Sequence, residues 1–108
     1  MPTVRLDASQ ISDWDSFHTV FARSFGFPNF YGRNMYAWID CMTYLDADDG
    51  MTAVHGSAAD PAVIRLDNAR AMPKELFDAL VECAGFVNLR RLEMGEPAML
   101  ILAFHRAG

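Results

Sequence analysis

Tyr36, Asp40 and Tyr44 are spaced four residues apart in a segment with helical periodicity, so a helix would place their side chains on one face. Two further aromatic residues, Phe30 and Tyr31, lie in the segment just before it. Rigid rings around one carboxylate are typical of a protein-binding hot spot, because they supply contact area at small entropic cost and exclude water from a charge pair. These residues therefore favour recognition of another protein.

Catalytic and metal-binding motifs are weak in this chain. Its glycines are scattered singly and form no phosphate-binding loop, and no serine lies in a nucleophile-elbow motif. Cys41 and Cys83 fall in predicted helices near apolar stripes, which is typical of core cysteines. The histidines are far apart, and the acidic residues 46–50 fail as a calcium loop, since Ser57 stands where the last ligand belongs. We expect no catalytic residue, no metal site and no cofactor.

Charge favours a basic partner. The chain has 108 residues, with nine Lys and Arg against fourteen Asp and Glu, and a formal net charge of -5. Direct nucleic-acid binding needs basic side chains that neutralise phosphates, so an acidic chain disfavours it. A basic protein is the better electrostatic match.

The length predicts a single domain over residues 1–108. No segment has the basic start and apolar run of a signal peptide, and the longest apolar run, Met99 to Phe104, is too short to span a bilayer. We expect a cytoplasmic protein without membrane contact, monomeric before it meets its partner.

Hydrophobic periodicity predicts six elements in the order β, α, α, β, α, β. They are a strand over residues 3–7, a helix over about residues 13–25, a helix from Asn34 to about Leu45, a strand over residues 62–66, a helix from Pro73 to Gly95 and a strand over residues 98–104. Ser12 and Asn34 are the expected N-caps of the first two helices, and Gly26 is the expected left-handed stop of the first. The last strand is expected to be buried on both faces. The second helix is expected to have one apolar face, formed by Met35, Trp38, Ile39, Met42 and Leu45. Residues 46–60 are predicted to form a loop. This order predicts an α/β fold with a small, mostly parallel sheet covered by helices.

Residues Ile11 to Leu45 resemble the barstar family, intracellular inhibitors of the ribonuclease barnase. The resemblance is carried by Pro28-Asn29-Phe30-Tyr31-Gly32-Arg33-Asn34, in which two aromatic rings and a glycine lie between a proline and an asparagine, and by Asp40, six residues after that asparagine. It implies a three-stranded parallel sheet with helices packed against it. It also implies that the aromatic loop and the second helix plug a ribonuclease active site.

The resemblance puts Asp40 where the family's main inhibitory aspartate takes the place of a substrate phosphate. Together with the aromatic residues noted above, the contact positions are Phe30, Tyr31, Gly32, Asn34, Tyr36, Asp40, Thr43 and Tyr44. The sequence departs from barstar in three of the matched places. Phe30 replaces a tyrosine, Tyr36 replaces a second aspartate, and Leu45 replaces a tryptophan. In the family, the last helix also contributes an acidic residue to the interface. No residue of this sequence is assigned to that position.

The expected function is inhibition of a basic ribonuclease or another nuclease, in which Asp40 binds among the basic residues of the active site. Asp46, Asp48 and Asp49 are expected to speed the encounter by long-range attraction. Three alternatives stay open. They are an immunity protein against a toxin nuclease, a regulatory module with a non-nuclease partner and, less favoured, a small hydrolase that uses a cysteine or a histidine.

Overall fold

The computed structural model describes residues 1–47, 52–57 and 59–106. Its helices and strands are β1 (Thr3–Asp7), α1 (Trp14–Phe25), α2 (Met35–Thr43), β2 (Ala62–Asp67), α3 (Lys74–Glu93) and β3 (Leu100–Ala103). Short 3-10 turns follow β1 and β2, at Ala8–Gln10 and Ala69–Ala71. The predicted order of elements and the α/β class are confirmed. No helix within these residues is long and apolar enough to cross a bilayer.

The three strands form one parallel sheet in the order β1-β2-β3. Leu6 of β1 lies opposite Leu66 of β2, and Ile64 of β2 lies opposite Leu102 of β3. Parallel neighbours need a crossover connection, which α1 and α2 provide between β1 and β2 and α3 provides between β2 and β3. The sheet that the resemblance implied is confirmed.

Aromatic side chains of α1 and α2 fill much of the core. Phe17, Phe21 and Phe25 are fully buried along one side of α1, and Trp38 is fully buried on α2. The rings of Phe21 and Trp38 meet edge to face with 5.6 Å between their centroids. Each such ring contributes roughly 1.5–3 kcal/mol by leaving water. Trp38 therefore anchors α2, and the opposite face of that helix stays outside.

The start of α1 differs by one residue from the prediction. Asp13, not Ser12, is the N-cap, because its backbone is extended and its carboxylate accepts a hydrogen bond from the Ser16 amide at 2.8 Å. Ser16 Oγ accepts in return from the Asp13 amide at 3.1 Å, which completes a capping box. At the other end, Gly26 has a left-handed backbone with φ of 69°, as its position predicted.

The expectation that the last strand is buried on both faces is wrong. Leu100 is buried, but the next residue, Ile101, is exposed. β3 pairs only with β2 and lies at the edge of the sheet, so alternate side chains meet α3 or remain in contact with solvent. A run of apolar residues predicted the strand, but not its place at the edge.

Candidate functional site

The loop over residues 26–34, α2 and its C-cap Tyr44 form one continuous surface, here called the α2 face. Asn34 begins α2, since its side-chain oxygen accepts a hydrogen bond from the Ala37 amide at 2.8 Å, as predicted. Five of the eight predicted contact residues lie on this face with exposed side chains or, for glycine, exposed backbone, and a sixth is Asp40, treated below. The five are Phe30, Gly32, Asn34, Tyr36 and Tyr44. Phe30 and Tyr36 are the most open, at 76% and 85% exposure, so both rings are available to a partner.

The carboxylate of Asp40 points away from the core. Its side chain is 60% exposed, one helical turn after Tyr36 and one turn before Tyr44. Its Oδ1 accepts a hydrogen bond from Nη1 of Arg90, on α3, at 2.8 Å. Asp40 is thus accessible but already has a cationic neighbour.

Arg90 is a member of this site that the sequence did not single out. Its guanidinium carbon lies 6.0 Å from the centre of the Tyr44 ring, and its hydrogen bond to Asp40 raises the pKa of Arg90. The two residues that meet here are 50 positions apart in sequence. Arg90 is fixed beside Asp40 by the packing of α3 against α2, which no local pattern reveals.

Tyr31 lies beneath the loop rather than on its surface. The side chain is buried, and its hydroxyl is 2.6 Å from Nδ1 of His18 on α1. Burial raises the pKa of Tyr31, and burial together with the Arg33 guanidinium lowers the pKa of His18. Tyr31 therefore supports the loop from the core side. His18 thus has a satisfied hydrogen bond in the core.

Arg33 holds the same loop to α1 from outside. Its backbone has a φ of 54°, and its guanidinium donates to the carbonyl oxygen and carboxylate of Asp15, at 2.8 and 2.7 Å, and to Thr19 Oγ1 at 2.9 Å. These contacts, with the buried Tyr31, fix the loop that carries Phe30 before any partner arrives. A preformed loop loses little entropy on binding.

The end of α2 is held by residues far away in sequence. Thr43 is fully buried, and its hydroxyl donates to the Ile39 carbonyl at 2.6 Å. The buried guanidinium of Arg91 donates to the Thr43 carbonyl at 3.0 Å and to both carboxylate oxygens of Asp46 at 3.2 Å. α2 ends at Thr43, two residues before the predicted Leu45, because the backbone of Tyr44 leaves the helical conformation. Thr43 supports the α2 face from inside.

Comparison with known families agrees with this architecture. A family model described as Barstar (barnase inhibitor) matches residues 1–95. The chain belongs to the Barstar family. The match extends well beyond the segment from Ile11 to Leu45 and includes all of the elements except β3. The family supports a role as a ribonuclease inhibitor or immunity protein, and its members are inhibitors rather than enzymes. A comparison with curated proteins gives no significant match.

The charges on the α2 face of this Barstar-family chain are mixed rather than purely acidic. Asp40 is paired with Arg90 and Asp46 with Arg91, although Asp46 stays 37% exposed. Of the three predicted steering residues, Asp48 and Asp49 lie outside the described residues. In the part of the chain that the structure describes, no cluster of His, Cys, Asp or Glu could hold a metal ion.

Proposed function

We propose that this chain inhibits a basic, barnase-like ribonuclease by inserting the α2 face into its active site, where Asp40 takes the place of a substrate phosphate. The observation that supports this most directly is the exposure of the Asp40 carboxylate on a rigid helix, between the exposed rings of Tyr36 and Tyr44. A nuclease that binds RNA presents cationic side chains around its phosphate site. A carboxylate held among them forms short charge-assisted hydrogen bonds.

The aromatic side chains supply the apolar part of the proposed contact. Phe30 and Tyr36 extend from the loop and from the first turn of α2, before Asp40, and Tyr44 follows Asp40 by one turn, so these rings would reach the rim of a cleft around Asp40. Burial of such rings excludes water and strengthens the central charge pair. Gly32 and Asn34 would contact the partner between them. Tyr31 and Thr43 would act from beneath, by holding the loop and the helix in place.

Asp46, Asp48 and Asp49 would steer the encounter. Steering depends on the electrostatic field of the charged residues, which acts without contact. Salt screens this field over a distance of about 10 Å at ordinary ionic strength. Because Asp46 is paired with Arg91, it contributes less to the field than an isolated carboxylate. An immunity role against a toxin nuclease would use the same surface and the same chemistry.

The test is inhibition of barnase, the nuclease that the family is named for inhibiting. Asp40→Ala should weaken inhibition of RNA hydrolysis by more than about 2 kcal/mol, or roughly 30-fold, the general threshold for an interface hot spot, for which the barnase–barstar pair is a standard example. Asp78→Ala is the matched control, because Asp78 is also an exposed helical carboxylate paired with a cation, Lys74. It should change inhibition less than twofold. Full barnase activity in the presence of micromolar wild-type chain, or a loss under tenfold for Asp40→Ala, contradicts the proposal.

A further inference from the structure

The contact between Asp40 and Arg90 gives the α2 face an internal cation beside its most accessible carboxylate. Nη1 of Arg90 is 2.8 Å from Oδ1 of Asp40, the distance of a charge-assisted hydrogen bond. The Arg90 side chain is 32% exposed, and its guanidinium lies near the Tyr44 ring. Any partner that covers Asp40 must therefore also cover, or displace, Arg90.

We propose that Arg90 is a specificity-determining residue of the α2 face, which competes with the partner's cations for Asp40 and so weakens binding to a cationic nuclease cleft. This inference depends on the proposed function, since it assigns to Arg90 a role in the same contact. When a partner's cation approaches Asp40, either Arg90 must move away from Asp40 or the two cations must share its carboxylate. Either outcome lowers the affinity relative to a chain without Arg90.

The surroundings of the pair make the competition stronger in a complex than in the free chain. Phe86, one turn before Arg90 on α3, and Leu89 are both exposed. With Ile39 of α2, the residue before Asp40, they line a mostly apolar groove that also includes Glu82. A partner that covers this groove excludes water from the neighbouring ion pair. Repulsion between Arg90 and a cation of the partner is then less screened than at an open surface. The groove thus strengthens a repulsion that is weak at the open surface.

In the free chain, the ion pair between Asp40 and Arg90 contributes little free energy. Its two side chains are 60% and 32% exposed, and exposed ion pairs change an equilibrium by no more than about fivefold. Loss of the free pair alone should therefore tighten binding by about threefold to fivefold, and relief of the repulsion in the complex adds to this gain. Reversal of the charge adds an attraction to the partner's cations, so the gain should exceed about tenfold.

The experiment measures the dissociation constant for purified barnase with Arg90→Met and Arg90→Glu. Methionine retains the length of the side chain without its charge. Lys74→Met and Lys74→Glu are matched controls, because Lys74 is an exposed cation on the same helix that also pairs with an aspartate. We expect both Arg90 variants to bind more tightly than wild type and both Lys74 variants to stay within twofold of it. The gain from Arg90→Met should shrink at high salt and in the Asp40→Ala background.

Each outcome either supports or overturns the proposed role of Arg90. A gain from Arg90→Met that disappears with Asp40→Ala supports competition for that carboxylate. Equal binding by wild type and Arg90→Met overturns the inference, and weaker binding by Arg90→Met does so too, since Arg90 would then contact an acidic group of the nuclease. If neither wild type nor any variant binds barnase, the proposed function fails, and this inference fails with it. A gain restricted to the Lys74 variants would also overturn it.

Discussion

Replacement of Arg91 by methionine should destabilise the fold more than any other arginine replacement at the α2 face. The side chain is 2% exposed, and its guanidinium donates to the Pro97 carbonyl at 2.9 Å, to the Thr43 carbonyl and to Asp46. It thereby joins the end of α2, the segment after it and the entry to β3 through one planar group. Methionine fills a similar volume but donates no hydrogen bond.

The magnitude follows from the groups that lose their donor. The Thr43 carbonyl, on a fully buried residue, costs about 1–2 kcal/mol when its hydrogen bond is lost. The Pro97 carbonyl belongs to an exposed residue, so water can replace the donor and the cost is under about 1 kcal/mol. Asp46 is 37% exposed and can turn to water, so its contribution is under about 1 kcal/mol. The sum is about 2–3 kcal/mol, at or just below the range for removal of one partner of a buried ion pair. Since the free energy of unfolding of a small domain is about 5–15 kcal/mol, this loss is easily measured.

Urea unfolding provides the assay. With a slope of about 1.3 kcal/mol per molar, Arg91→Met should lower the midpoint by about 2 M, while Asp46→Asn lowers the stability by at most about 1 kcal/mol. Arg23→Met is the control, because Arg23 is exposed and its guanidinium makes only a long 3.4 Å contact, with Gln10, among the described residues. If the free energy of unfolding of Arg91→Met is within about 0.5 kcal/mol of the wild-type value, the reasoning is refuted. The hydrogen bonds of Arg91 would then not stabilise the fold.

Two further predictions concern the segments that position the α2 face. Because His18 has its pKa lowered in the folded state, the unfolded chain binds the proton first, so stability should be full above about pH 6.5 and fall as the pH drops below it. His18→Gln should flatten that slope in urea unfolding at several pH values; an unchanged slope counts against a neutral buried His18. Gly26→Ala should cost more than about 1 kcal/mol, because φ is 69° and an added Cβ would lie 2.6 Å from Ala53 Cβ. Gly85→Ala, in open space on α3, should cost nothing in the same unfolding assay, and equal losses at the two glycines would contradict this explanation.

The fold was predicted well wherever periodicity and capping residues determine it. The stripe around Trp38, the cap at Asn34 and the stop at Gly26 are local signals, and the structure confirms all three. The end of α2 was missed because Leu45 continues the apolar stripe. Helix α2 stops earlier because the backbone of Tyr44 is not helical, with φ of -110° and ψ of 34°, and the Thr43 carbonyl accepts a hydrogen bond from Arg91, 48 residues later. Contacts at such separations cannot be derived from a local pattern.

The candidate site was predicted in part. Asp40 and Tyr36 are exposed, as helical spacing indicated, because Trp38 fixes the opposite face of α2 in the core. The loop before α2 has no periodicity, so the sequence could not tell that Phe30 faces solvent while Tyr31 is buried against His18. The contact roles of these residues stay predictions.

The central claim, that the α2 face occupies a nuclease active site in place of phosphate, is tested most directly by competition with a mononucleotide. The apparent dissociation constant of the chain for barnase is measured at increasing concentrations of a nucleoside monophosphate that binds the active site. If the Asp40 carboxylate takes the place of a phosphate, the apparent constant rises in proportion to the nucleotide concentration, and no ternary complex forms. A constant that stays unchanged when the nuclease is saturated with nucleotide would show that both bind at once, which contradicts the claim.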